Sequence, residues 1–290
     1  MRDLSQILDG LEQHLGDATR GKLGTSGEQA FKATIAAALA KNLEFSKFAH
    51  SEAGDVAPFF ATGTLRGICE DLIVLKFIMS LESEDRSLLV NNLFMKEVTK
   101  SAEAQANFFG EGRPSQPVLD PSPFQEAGQR SSQKLTSLKK KYGWGGRGIM
   151  PSTYKMACEV QLKNLYQYLY HATSEWVHFK TRILLRMGWE EHNDPDEEWD
   201  FTTYNYKSYY SKFNKFYSVY LLIKFVDTFS DHLNLGYDAD ARIDELREYI
   251  DELLRWPELV TFEEMNLEGP SQIIRILLHV SRDNVASDSD

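Results

Sequence analysis

Cysteine is scarce in this chain. Cys69 and Cys158 are the only two among 290 residues, too few for a disulfide framework or a cysteine-rich zinc site. Both fall in helical patterns and read as small buried hydrophobes. Long apolar runs are missing as well: the longest, near 72–81 and 216–226, are too short to span a bilayer and carry Lys76 and Lys224. No membrane association is therefore expected. Basic charge is in short supply, with 32 Lys and Arg against 43 Asp and Glu and a net charge of −11, which argues against bulk electrostatic binding to nucleic acid or an anionic membrane. A local basic groove stays open. The start of the chain, MRDLSQILDGLEQHLG, lacks the apolar core and small-residue cleavage site of a secretion signal, so the expected localisation is cytoplasmic. Period-two alternation is absent over any useful length, and no internal repeat is found. What remains is an all-α protein, a multi-helix bundle.

The helical signals are strong. Leu4, Ile7, Leu8, Leu11 and Leu15 recur at helical spacing, and a second helix is expected from about 27 to 53 with Phe31, Ile35, Ala38, Leu43 and Phe45 along it. Pro58 suits the first turn of a third, running to Leu81. A fourth is expected to end by Gly110, before residues 110–123, whose four prolines and two glycines exclude regular structure. A shorter helix from about 124 to 142 then enters a glycine-rich loop. From Leu162 to Met187 one apolar stripe predicts a single long helix, and aromatic positions predict another from 204 to 235. Helices at about 239–255 and 271–280 complete the pattern. The expected organisation is N-terminal helices over 1–55, a helical core domain over 56–235, C-terminal helices over 236–282 and a disordered tail over 283–290. Within the core lie a Pro/Gly-rich loop at 110–123 and a basic Gly-rich loop at 139–150.

Pro58–Leu81 is the stretch around which a function can be sought. It has almost no polar face, yet Arg66 and Glu70 stand four residues apart on one side of it. Charges withdrawn from water in such company cost on the order of several kcal/mol each unless they are paired. The long helix offers a matching row, in which Tyr170, Ser174, His178, Arg182 and Arg186 step along it four residues at a time. A second concentration of chemistry is KKKYGWGGRG, where Lys139, Lys140, Lys141 and Arg147 surround Trp144; it reads either as a solvated helix end and turn or as an RNA-binding patch with a base stacked on Trp144. His192, Asp194, Asp196 and Glu197 around Pro195 fit no ligand spacing, so neither metal nor cofactor is expected.

The arginine-x3-glutamate helix (Arg66, Glu70), followed by a proline-led helix of the form Y-x3-Y-x3-S-x3-H (Tyr166, Tyr170, Ser174, His178), resembles a bacterial domain family of unknown function, over roughly residues 30–235. That arrangement is similar at a distance to the HEPN helical domains of phage-defence and toxin–antitoxin loci. The resemblance implies a HEPN-like core with peripheral helices, an anti-phage or toxin role, pairing into a homodimer and a possible operon-encoded partner protein. HEPN ribonucleases keep their arginine and histidine on one helix, whereas here they come from two.

Two functions follow as expectations. The first is a metal-independent endoribonuclease, with Arg66, Glu70, Ser174 and His178 as the catalytic group, Tyr166, Tyr170 and Arg182 supporting it, and RNA as substrate. His178 would move the proton and Arg66 would hold the phosphoryl oxygens. The second is a non-catalytic interaction or sensor protein in which the same Arg/Glu/Ser/His cluster is a buried network that sets helix register.

Overall fold

The computed structural model describes residues 4–19, 28–112, 120–178, 180–188, 201–233 and 235–258. Among them every regular element is a helix, and the all-α bundle holds. Eleven helices follow in order: α1 Leu4–Leu15, α2 Gln29–His50, α3 Glu52–Val56, α4 Pro58–Met79, α5 Ser83–Gly112, α6 Ser122–Lys141, α7 Thr153–Glu159, α8 Lys163–Val177, α9 Thr181–Arg186, α10 Lys207–Leu233 and α11 Tyr237–Asp251. None is long and apolar enough to cross a membrane. The expected helix at 271–280, the tail and the acidic stretch at 190–200 lie outside the described residues.

α4 is the central rod. It packs against α2, α7, α8 and α10, and Leu65, Ile68, Leu72, Ile73 and Phe77 on it are sealed from solvent. Pro58 occupies its first turn, where the missing N–H costs nothing, and the Pro58 carbonyl accepts a buried hydrogen bond from Asn214 Nδ2 of α10 at 2.8 Å. The aromatic helix α10 lies along α2 and α4 and buries Phe213, Phe225 and Phe229. One hydrophobic cluster runs from Ile7 on α1 to Ile250 on α11. α5 and α6 form a hairpin that closes tightly where Gly128 meets Thr99; a β-carbon on Gly128 would stand 2.6 Å from the Thr99 hydroxyl oxygen.

Several boundaries differ from the sequence expectation, each for a physical reason. The second helix stops at His50, and Ser51 caps a separate short turn, α3. Gly54 does not simply break it: the chain doubles back so closely that a β-carbon there would sit 2.3 Å from the Phe48 carbonyl oxygen. α5 continues through Gly110 to Gly112, since glycine weakens a helix without forbidding it.

The proline-led stretch is two helices. α7 ends in a Schellman-type closure in which Leu162 N–H donates to Ala157 C=O and Gln161 takes φ of 62°, a left-handed position filled without glycine. The single long helix expected from Leu162 to Met187 is also two, because α8 ends at Val177, His178 turns extended (φ −125°, ψ 155°) and α9 begins at Thr181. No proline or glycine marks that break. The run Trp176, Val177, His178, Phe179 consists of β-branched, aromatic and imidazole residues with modest helix propensity, so tertiary contacts decide where the helix stops. Cys158 corrects another expectation. It is exposed, on the outer side of the short α7, while Cys69 is buried in α4.

Candidate functional site

The helical spacing of Arg66 and Glu70 puts both side chains on one side of α4, and α8 runs beside it. Arg66 is the hub. Its Nε donates to Glu70 Oε1 at 3.0 Å, and its Nη1 stands 3.1 Å from His178 Nε2. Its guanidinium carbon lies 4.7 Å from the centre of the Tyr170 ring, a cation over an aromatic face. Two elements 112 residues apart in the chain therefore converge on one guanidinium.

The chemistry of that contact is directional. Guanidinium nitrogens only donate, so Nε2 of His178 accepts, and the imidazole in this arrangement is neutral with its proton on Nδ1. Nε and one Nη1 proton are used by Glu70 and His178. Three of the five N–H groups of Arg66 have no partner among the described residues.

The cluster is not withdrawn from water as the apolar helix suggests. The Arg66 and Glu70 side chains retain 22% and 32% of their accessibility, and His178 is exposed. The cause is the early end of α8: His178 leaves the helix at its rim instead of continuing along the packed face. Ser174 is buried, and its carbonyl accepts the His178 backbone N–H at 3.2 Å, so it fixes the turn from which the imidazole departs. The Tyr166 ring lies 5.2 Å from that of Tyr170, tilted 35° to it. Burial, and then the negative charge of Glu70, push its phenol above the usual range, so it stays a hydrogen-bond donor. Arg182 has its backbone in α9, and its side chain lies outside the described residues.

Tyr154 is a neighbour that sequence reasoning passed over. Its ring lies 6.4 Å from that of Tyr166 and is exposed on α7. Only the left-handed turn at Gln161 folds α7 back to bring the two tyrosines together, and no glycine signals it.

The basic loop is arranged differently from the expectation. Lys139 Nζ donates to the carbonyls of Gly146 and Gly148 at 2.6 and 2.7 Å, so it braces the loop. Lys141 binds the carboxylates of Glu82 and Asp85, which raise its pKa, and the Tyr142 hydroxyl also donates to Asp85. Trp144 stacks on Tyr142 at 5.2 Å and leans on Phe77 at 5.7 Å, half-buried. These groups hold the loop to α4 and α5. Lys140 and Arg147 remain exposed and make no ion pair among the described residues. Phe77 is eleven residues beyond Arg66 on α4, so the loop meets that helix roughly 16 Å farther along, at 1.5 Å per residue. The two concentrations of chemistry are thus distinct places on the molecule.

Among the described residues no three His, Cys, Asp or Glu side chains stand close enough to share a metal ion. No curated protein and no solved structure matches the chain. A family model does match, over residues 51–198, a span that contains Arg66, Glu70, Tyr166, Tyr170, Ser174 and His178. The chain belongs to DUF5677, a family of unknown function.

Proposed function

We propose that the Arg66 cluster is the centre of a metal-independent endoribonuclease. The observation that carries this reading is the half-open guanidinium: three N–H donors on Arg66, without a partner among the described residues, stand beside an exposed imidazole that is hydrogen-bonded through Nε2. A phosphodiester oxygen entering at the rim competes for the Arg66 donors and releases the Nε2 lone pair. Nε2 then takes the proton of the neighbouring 2′-hydroxyl as its oxygen attacks phosphorus. The bond from phosphorus to the 5′ oxygen breaks, that oxygen takes up the proton carried by the imidazolium, and the products are a 2′,3′-cyclic phosphate and a 5′-hydroxyl. Arg66 stabilises the charge that grows on the non-bridging oxygens, and Glu70 fixes the arginine through Nε. Tyr170 sets its ring under the guanidinium, whose central carbon lies 4.7 Å from the ring centre.

The wider assignment is part of the same proposal and rests on the Arg-x3-Glu and Tyr-x3-Ser-x3-His pattern. It comprises a HEPN-like core, a homodimer in the cytoplasm, and a role in bacterial phage defence or as a toxin beside an operon-encoded partner. The test is cleavage of RNA by the intact protein and by Arg66→Ala and His178→Ala. Loss of cyclic-phosphate products in both variants, with the helical circular-dichroism signal retained, is the expected result. Cleavage that survives both substitutions overturns it.

A second reading has one observation on its side. The Arg66 to His178 bond ties α4 to the end of α8 directly, as a register-setting network would. It predicts a lower melting temperature on substitution and no catalytic activity in the parent.

A further inference from the structure

We infer that Tyr154, Tyr166 and Tyr170 form a base-stacking subsite for single-stranded nucleic acid that leads the strand to Arg66; the direction of the strand rests on the ribonuclease reading, the stacking does not. The three rings follow one another as a stepped strip, tilted 53° between Tyr154 and Tyr166 and 35° between Tyr166 and Tyr170. Tyr154 lies 6.4 Å from Tyr166, Tyr166 lies 5.2 Å from Tyr170, and the Tyr170 face is covered by the Arg66 guanidinium at 4.7 Å. A cation stands at each end, because Lys163 Nζ is 6.0 Å from the centre of the Tyr154 ring. Alternation of aromatic faces with cations is what a strand of stacked bases and charged phosphates requires.

Tyr154 is the open end of the strip. The residue is 41% exposed, although it stands on a helix whose inner side is well packed through Met156 and Ala157. A tyrosine needed only to fill the core would have its face covered. The carboxylate that acts on Tyr166, Glu70, is already paired with Arg66. Lys163, the cation beside Tyr154, is exposed, as is Lys155 on α7, in a protein of net charge −11. Stacking on ring faces reads no base edge, so the subsite tolerates any sequence and refuses a duplex, whose bases are already stacked on one another.

The test uses the full chain carrying His178→Ala, so that the probe stays intact, with a short fluorescein-labelled oligoadenylate followed by fluorescence anisotropy. Tyr154→Ala is expected to weaken binding about 5- to 150-fold, the worth of one stacked base, while Tyr154→Phe keeps the affinity and duplex RNA competes poorly. Lys163→Gln is expected to flatten the salt dependence. Unchanged affinity in Tyr154→Ala, equal competition by duplex RNA, or no binding by the parent overturns the subsite. The two proposals fail separately. If cleavage needs Arg66 and His178 but ignores Tyr154, the strip is ordinary packing and the ribonuclease stands. If Tyr154→Ala loses the strand while the unsubstituted protein cuts nothing, the strip stands and the ribonuclease falls.

Discussion

Replacing Arg66 separates a catalytic cluster from a structural one, because the structure bounds what each would lose. Three interactions go with the side chain: an i,i+4 ion pair with Glu70, a cation over Tyr170 and a hydrogen bond to His178. With these groups partly exposed, the ion pair is worth about 0.5 kcal/mol, the aromatic contact about 0.5–1 kcal/mol and the hydrogen bond about 1 kcal/mol. Arg66→Ala is therefore expected to cost about 2 kcal/mol, seen as a fall of about 4–8 °C in melting temperature. Against a total stability of about 5–15 kcal/mol, that loss leaves almost all of the protein folded at room temperature. Reduced population of the native state then cannot explain a large drop in turnover. Loss of a preorganised charge donor at a phosphoryl centre costs about 100- to 1,000-fold in rate. Arg66→Lys keeps the charge but not the fork that reaches Glu70, His178 and the phosphate together, so its rate is expected to stay close to that of the alanine variant. The assay pairs single-turnover cleavage of a labelled RNA with thermal melting of the same samples. A rate that follows only the unfolded fraction, or a lysine variant that restores full activity, refutes the reasoning.

Three further predictions concern the scaffold. Gly54→Ala places a methyl group against backbone atoms of Phe48 and Ala49 that cannot give way, so a loss of about 3 kcal/mol is expected in urea unfolding. The Asp55 carboxyl is held below its usual range by hydrogen bonds from Lys215 and Ser211, so the folded state binds fewer protons than the unfolded one. Its contribution is full above the unfolded value and is lost as pH falls through the folded one; Asp55→Asn should flatten the decline of the urea midpoint between about pH 5 and pH 2. Exposed Cys158 should react promptly with a thiol reagent, whereas Cys69, whose thiol burial pushes up to about 12, should react only after denaturation, giving one fast thiol of two.

How far the sequence could be read follows from which signals are local. The 3.6-residue period marks every long helix in the described chain, and Pro58 marks the start of the central one, because both are properties of short windows. The pairing of Arg66 with a distant polar row was also legible, since two charges on an otherwise apolar helix demand partners. What could not be read was decided by tertiary contact. Gln161 takes a left-handed conformation without being glycine, His178 ends a helix without proline or glycine beside it, and the faces of Cys158 and Tyr154 depend on how the short α7 is folded back. The internal partners of the basic loop were hidden for a related reason. Composition shows lysines, glycines and a tryptophan together, but not that Glu82 and Asp85 at the start of α5 meet Lys141, or that Tyr142 and Phe77 receive the indole.

On the reading proposed above, the break at His178 is the step that links fold to chemistry. Had α8 continued as the apolar stripe suggests, residue 178 would have remained on the helix surface, one turn beyond Ser174, with its neighbours on both sides helical. Ending the helix at Val177 places the imidazole on extended backbone at the rim, within hydrogen-bond reach of Arg66 and open to solvent on its other side. The same turn leaves Ser174 buried beneath it, its carbonyl holding the His178 N–H. A network whose whole purpose was register would gain from being sealed, since each hydrogen bond strengthens as water is excluded. Here the helix gives up regular structure at the one point where an imidazole and a guanidinium meet, and the result is exposure. That combination favours a site that receives something from solution over a lock between helices.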